Sequence, residues 1–215
     1  MVIFTQLVLV IGRITSDGII RMLGTGVVVS NDGKIVTSRH VVADNDENLV
    51  VLFPHVTSMN EYQDTTDTKC SPVQAYILES DPFRDITIIK ADLNFNGNIL
   101  NLGSFDDVNV GEQVCILGFP HCVEGRRVLT FQQAVIGAKV LLESQGIKSK
   151  HAVINTQTRP GQSGSLIYSI SKNEVVGILV GTFAPDSGVI IAGINPRELN
   201  QTTHCISAEY IRNML

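Results

Sequence analysis

Apolar residues in this chain come in short, β-branched runs, each closed within a few residues by glycine, asparagine, aspartate or proline. Such runs suit strands and are too short for ordinary helices, so the pattern predicts an all-β protein. The clearest hairpin is Gly26-Val27-Val28-Val29-Ser30, then Asn31-Asp32-Gly33, then Lys34-Ile35-Val36-Thr37. Its central tripeptide supplies the positive-φ positions that a tight hairpin turn needs. Further strands are predicted at 7–14, 19–22, 49–53, 73–79 and 86–91, then at 113–117, 128–140, 152–156, 165–170, 175–180 and 189–192. The asparagine- and glycine-rich stretch 94–110 divides them into two near-equal sets. Two such sets predict two β-barrels, spanning 1–104 and 105–215, since closure is how an all-β chain removes its sheet edges. The apolar opening, 2–11, reads as a buried strand: it lacks a basic leading region and a small-residue cleavage site, and it is too short to span a bilayer. The segments 55–71 and 195–203 read as polar surface sequence. Only the end reads as helix, with Ser207 as N-cap and Tyr210, Ile211, Met214 and Leu215 on one apolar face.

Composition mainly excludes. With 44% hydrophobic and 17% charged residues the chain is an ordinary globular one, neither disordered nor membrane-embedded. A net charge of −5, with no basic cluster longer than Arg126-Arg127, argues against nucleic acid as a partner. The cysteines Cys70, Cys115, Cys122 and Cys205 are too sparse for a disulfide framework. With no export signal they are expected as free thiols in a reducing, cytoplasmic setting. No Cys/His spacing fits a zinc site, and nothing in the sequence calls for a metal or a cofactor.

One stretch carries chemistry: Thr158-Arg159-Pro160-Gly161-Gln162-Ser163-Gly164-Ser165-Leu166, with Ser163 between two glycines. A serine hydroxyl is a weak nucleophile until a positioned base activates it, so the turn needs a histidine and an acid from elsewhere. Four histidines, His55, His121, His151 and His204, sit in turns or polar segments. His40 instead follows a strand directly, in Val36-Thr37-Ser38-Arg39-His40-Val41-Val42, where an imidazole can be held rigidly with one nitrogen free. Among the carboxylates, Asp85 opens the apolar strand that runs on through Ile86, and a buried carboxylate there needs a partner. A histidine N–H would serve, as would Arg84 or loop N–H groups, and Asp81 is a rival acid.

In the order His40, Asp85, Ser163, these blocks resemble the chymotrypsin-like (trypsin-like) serine proteases, especially the Deg/HtrA-type branch. Gly24-Thr25-Gly26-Val27-Val28-Val29 with Ile35-Val36-Thr37-Ser38-Arg39-His40 is similar to the family's histidine block, and Asp85-Ile86-Thr87-Ile88-Ile89-Lys90 to its aspartate block. The stretch around Ser163 is similar to the serine block, and Ile206-Ser207-Ala208-Glu209-Tyr210-Ile211 to the strand-to-helix close of the protease domain. The resemblance covers essentially the whole chain. It implies two perpendicular six-stranded antiparallel barrels with a short C-terminal helix and a cleft between them. His40 and Asp85 would come from the first barrel and Ser163 from the second, with the N–H groups of Gly161 and Ser163 as oxyanion donors. A polypeptide substrate would be cut through an acyl-enzyme. By the same pattern, a specificity pocket is implied near Gln157, Val180, Gly181, Thr182 and 189–192. None of these is acidic, which implies a small or apolar preference.

The sequence departs from that pattern in several places. Neutral Gln162 cannot pair with a freed N-terminus, so no zymogen cleavage is expected. Ser165 stands where the family has glycine and is expected to add a side chain near the cleft. No cysteine directly follows His40, extra polar sequence lies between 191 and 206, and no PDZ module is expected. Two other readings follow from these departures: a catalytically silent peptide-binding module, or a latent enzyme ordered by a partner from outside the chain.

Overall fold

A computed structural model describes residues 2–183 and 202–215. The first barrel is built from β1 (Val8–Ile14), β2 (Ile20–Val28), β3 (Lys34–Ser38), β4 (Leu49–Leu52), β5 (Val73–Asp81) and β6 (Ile86–Ala91), closed in the order β1-β2-β3-β6-β5-β4. The second uses β8 (Gln113–Gly118), β9 (Thr130–Ser144), β10 (Ile147–Ile154), β11 (Leu166–Ser169), β12 (Glu174–Phe183) and β13 (Thr202–Ser207). Its strands run β11-β8-β9-β10-β13-β12, and pairing of β11 with β12 completes the ring. All these pairings are antiparallel. The two-residue strand β7 (Asn101–Leu102), in the stretch between the strand sets, adds to β12 in parallel. The all-β fold with two six-stranded barrels is therefore as expected.

Strand periodicity explains why so many segments are apolar on both faces. Side chains alternate across a strand. In β1, Leu9 and Ile11 join Val28, Ile35, Leu49 and Ile89 inside the first barrel. Val8 and Val10 face a different core, shared with Cys115, Leu117, Leu166 and Ile206 from the second barrel. Barrel two has its own filling around Phe105, Ile116, Ile136, Ile154 and Leu179. The seam between the barrels is thus a hydrophobic core in its own right.

The expected hairpin forms. Val29 N–H bonds to Lys34 C=O at 2.9 Å, and Gly33 takes φ 87°, where an added Cβ would lie 2.4 Å from Ala91 O. Elsewhere the structure corrects the sequence. The opening run contains a helix, α1 (Val2–Leu7), before β1 begins, because an unbroken apolar run has no period to separate helix from strand. Its Phe4 packs edge-on against Tyr168, ring centroids 5.3 Å apart. β13 lies where polar sequence and a helix cap were expected. Thr203 is buried there because its hydroxyl donates to Thr156 C=O at 2.6 Å, while Cys205 and Ile206 are wholly buried. Ser207 ends that strand, its hydroxyl accepting from Phe105 N–H at 3.1 Å. The final helix, α3 (Glu209–Arg212), starts after Ala208 without a side-chain cap. It buries Ile211 and packs Tyr210 on the seam, where Met214 just beyond the helix joins it, while Leu215 is exposed. The predicted strand 189–192 lies outside the described residues.

The polar loop 55–71 is on the surface but stapled to barrel two: the Gln63 amide exchanges two 2.8 Å bonds with the Leu129 backbone. All four cysteines are free thiols; Cys70 is exposed and the others buried. Burial pushes the Cys122 thiol up to about 12, which leaves it protonated and inert.

Ile88 is fully buried in the seam. Replacing it with alanine should cost about 2–5 kcal/mol of unfolding free energy, read as a lowered urea midpoint with unchanged slope. A loss under about 1 kcal/mol would mean that the seam is not packed as a core.

Candidate active site

His40 sits on α2 (Arg39–Val42), a single helical turn leaving β3. Asp85, just before β6, takes a left-handed backbone conformation with φ 56°. That geometry lets the residue hold the helical turn three ways. Its carbonyl accepts from Arg39 N–H at 2.9 Å, Oδ1 accepts from His40 N–H at 2.9 Å, and Oδ2 lies 2.6 Å from His40 Nδ1. An ionised carboxylate only accepts, so Nδ1 carries the ring proton and Nε2 is left as the basic nitrogen. The rivals are engaged elsewhere. Arg84 Nη1 bonds to Asp81 Oδ2 at 2.6 Å, and its guanidinium lies 4.4 Å over the Tyr210 ring.

The Ser163 turn is held by its carbonyls. Arg159 C=O accepts from Gln162 N–H, Pro160 C=O from His121 N–H at 2.7 Å, Gln162 C=O from Ser165 N–H at 2.9 Å, and Ser163 C=O from Thr25 N–H at 2.9 Å. Gly161 C=O accepts from the Thr25 hydroxyl at 2.9 Å. In a trans peptide the N–H points opposite to the C=O. Tying the Pro160 and Gln162 carbonyls inward therefore turns the N–H groups of Gly161 and Ser163 outward. Neither N–H makes a hydrogen bond among the described residues. Gly161 has φ 94°, and a Cβ there would meet Phe119 O at 2.6 Å and Cys122 Sγ at 2.7 Å.

The flanking residues have structural work. Gln162 is buried and its Oε1 accepts from Arg159 N–H at 2.7 Å, closing the turn on itself. Ser165 was expected to add a side chain near the cleft; it is instead fully buried, its hydroxyl filling the space that Gly118 leaves by having no Cβ. Gly164 N–H bonds to Leu179 C=O at 2.7 Å, and the Ser38 hydroxyl donates to the same carbonyl at 3.1 Å. Ser163 and the His40 turn come together across Gly24, whose absent Cβ would touch Ser163 O at 3.1 Å and Val41 at 2.9 Å. Ser163 Oγ itself makes no hydrogen bond to the His40 ring.

Beside Asp85 the seam opens into a cavity of about 370 Å³, lined among others by Phe83, Leu142, Val180, Gly181, His151 and His204. Of the pocket residues expected, Val180 and Gly181 line it and Gln157 does not. Thr182 pairs with Thr203 in the β12–β13 ladder, and its side chain lies outside the described residues, as does 189–192. Sequence reasoning passed over Thr25 and His121, whose partners are distant in the chain. It also put His151 and His204 in polar segments when they stand on β10 and β13. The only signal for Thr25 was a hydroxyl between two glycines in an apolar strand.

Known proteins agree with this architecture. A family model described as the trypsin-like peptidase domain matches residues 24–178, more than two thirds of the chain. A probable periplasmic serine endoprotease, DegP-like, of Pseudomonas fulva (strain 12-X) is 29% identical over 170 residues, covering 77% of this chain and 30% of its own length. Its counterpart in Pseudomonas putida (strain GB-1) is 30% identical over the same coverage. The chain thus spans about 30% of the length of these curated relatives. Among solved structures, the protease domain of MamO from Magnetospirillum magneticum superposes with a TM-score of 0.67 at 15% identity, covering 97% of this chain and 95% of that one. The HtrA-type protease AlgW with a decapeptide gives 0.65 at 20% identity, over 91% and 51%. The cytoplasmic setting expected from the missing export signal does not stand, because these sequence relatives are named as periplasmic enzymes.

Burial lowers the pKa values of His151 and His204 below the usual histidine value. Their contribution to stability is therefore complete above about pH 6.5, the unfolded value, and is lost as pH falls toward the lowered folded values. Thermal melts should show Tm falling between pH 7.5 and 5.5, and His151→Gln should flatten that slope. An unchanged slope would show that His151 titrates alike in both states.

Proposed function

The chain belongs to the trypsin-like peptidase family, and from that premise we propose that it hydrolyses peptide bonds by acyl transfer through Ser163. His40 Nε2 takes the serine proton and later returns it to the leaving amine. Asp85 fixes the ring's tautomer and stabilises the imidazolium. The attacked carbonyl becomes an oxyanion facing the N–H groups of Gly161 and Ser163. Donors fixed before reaction stabilise charge that exists only in the transition state, each worth about 3 kcal/mol. Water activated by the same histidine then releases the acyl group. Segment 1–104 supplies the base and the acid, and 105–215 the nucleophile.

The observation carrying this reading is the direction of the turn. Five carbonyls are bonded inward while the N–H groups of Gly161 and Ser163 have no partner among the described residues. That arrangement also weighs against a latent turn with a flipped peptide. The likeness to an HtrA-type fold solved with a decapeptide supports a polypeptide substrate. Val180 and Gly181 beside the cavity support a small or apolar residue before the cut.

One observation favours a silent binding module: Ser163 Oγ makes no hydrogen bond to the His40 ring. Such bonds are often loose without substrate and tighten in the Michaelis complex, so peptidase activity is the reading retained. A fluorophosphonate probe should label the wild type at neutral pH and fail on Ser163→Ala. Asp85→Asn should lower kcat on the order of 10⁴-fold. Labelling that survives Ser163→Ala, or a folded wild type that neither labels nor cuts any member of a mixed peptide library, would contradict the reading.

A further inference from the structure

We propose that Thr25 is a positioning residue for the oxyanion turn, its hydroxyl fixing Gly161 by joining the turn to the loop that latches it. This rests on the peptidase reading above.

Thr25 is fully buried on β2, where the first barrel abuts the second. Its hydroxyl takes part in two bonds whose directions follow from chemistry. Phe119 N–H can only donate, and it donates to Thr25 Oγ1 at 3.1 Å. The hydroxyl's single hydrogen is thereby left for Gly161 C=O, 2.9 Å away. The backbone of the same residue adds Thr25 N–H to Ser163 C=O at 2.9 Å, and its carbonyl accepts from the Thr37 hydroxyl at 2.7 Å. One residue thus holds the carbonyls on both sides of Gln162.

The bond to Phe119 gives the hydroxyl a second hold on Gly161. Phe119 begins the tight turn that Cys122 N–H closes onto Phe119 C=O at 3.2 Å. Within that turn His121 takes φ 62°, a left-handed conformation that costs a non-glycine residue and must be held by its surroundings. In that conformation its N–H reaches Pro160 C=O. The Pro160 carbonyl sets which way Gly161 N–H points. The Thr25 hydroxyl therefore grips the Gly161 carbonyl directly and the Gly161 N–H through Phe119 and His121.

Without the hydroxyl, the buried Phe119 N–H loses its partner and the Gly161 carbonyl keeps only the weak donor 3.8 Å away, the Cys122 thiol, so each is driven to move in search of another. Those two groups sit on the two segments that aim the donor. The turn cannot follow Thr25 freely, because Gly164 already approaches Thr25 O so closely that a Cβ would lie 1.9 Å away. The consequence falls on the transition state, where the oxyanion forms, and not on ground-state peptide binding.

The test compares Thr25→Val, which keeps the methyl and loses the hydroxyl, with Thr25→Ser, which keeps the hydroxyl. Thr25→Val, folded by circular dichroism, should lose roughly 10–100-fold in kcat with KM within about threefold, and the affinity of a tetrahedral-adduct-forming peptide aldehyde should fall in parallel. Thr25→Ser should stay within about threefold of wild type. Should Thr25→Val fail to fold, Thr25→Cys, whose thiol bonds weakly in nearly the same space, should show the same kcat-selective loss. Equal losses in the serine and hydroxyl-free variants, a change confined to KM, or an unimpaired Thr25→Val beside an active wild type would overturn the assignment alone. A folded wild type with no turnover would sink the peptidase reading, and the assignment with it.

Discussion

A trans peptide can turn its N–H outward only by turning its carbonyl inward, and a carbonyl turned inward must find a donor. The Ser163 turn is organised by that coupling. Its donors come from three directions: Thr25 on the first barrel, His121 in the connection between β8 and β9, and the turn's own Gln162 and Ser165. The outward pair of N–H groups is the geometric remainder once those carbonyls are satisfied. Reversing the Pro160–Gly161 peptide would take the Pro160 carbonyl away from His121 N–H and turn the Gly161 N–H inward against that donor. Separately, a Cβ at 161 would lie 2.6 Å from Phe119 O, which requires glycine there.

The seam between the barrels gives that turn its meaning. Under the proposed mechanism the base and acid belong to one barrel and the nucleophile to the other, so their spacing is only as constant as the packing between them. Strands such as β1 contribute alternate side chains to a barrel interior and to the seam, which makes both cores depend on one register. A slip of one residue would exchange the two sets. Thr25 N–H to Ser163 C=O and the Ser38 hydroxyl to Leu179 C=O cross the seam as polar pins within that apolar contact.

How far the sequence reached depended on the range of the forces involved. The 31–33 hairpin was legible because turn dihedrals are set by the residues themselves. The pairing of His40 with Asp85 was legible from their places at strand ends and from the family pattern that their spacing resembles. Ser163 gained its standing from those two. The opening helix was not legible, since an apolar run without polar punctuation fits either period. Nor was β13, whose Thr203 is buried through a hydroxyl bond made 47 residues away. Thr25 lies 136 residues from the Gly161 carbonyl that it holds, and no local rule connects them. Ser165 misled because its side chain was expected near the cleft; Gly118, at the end of β8, supplies the interior space it occupies.

The central claim is that the turn is already shaped for an oxyanion before substrate arrives. A structure of the wild-type chain with a peptide boronic acid tests it most directly. The account predicts a tetrahedral boron on Ser163 Oγ, with one oxygen about 2.7–3.1 Å from both Gly161 N and Ser163 N and the Pro160 carbonyl still bonded to His121 N–H. A boron bound elsewhere, or an adduct that forms only after the Pro160 carbonyl has left His121, would contradict it.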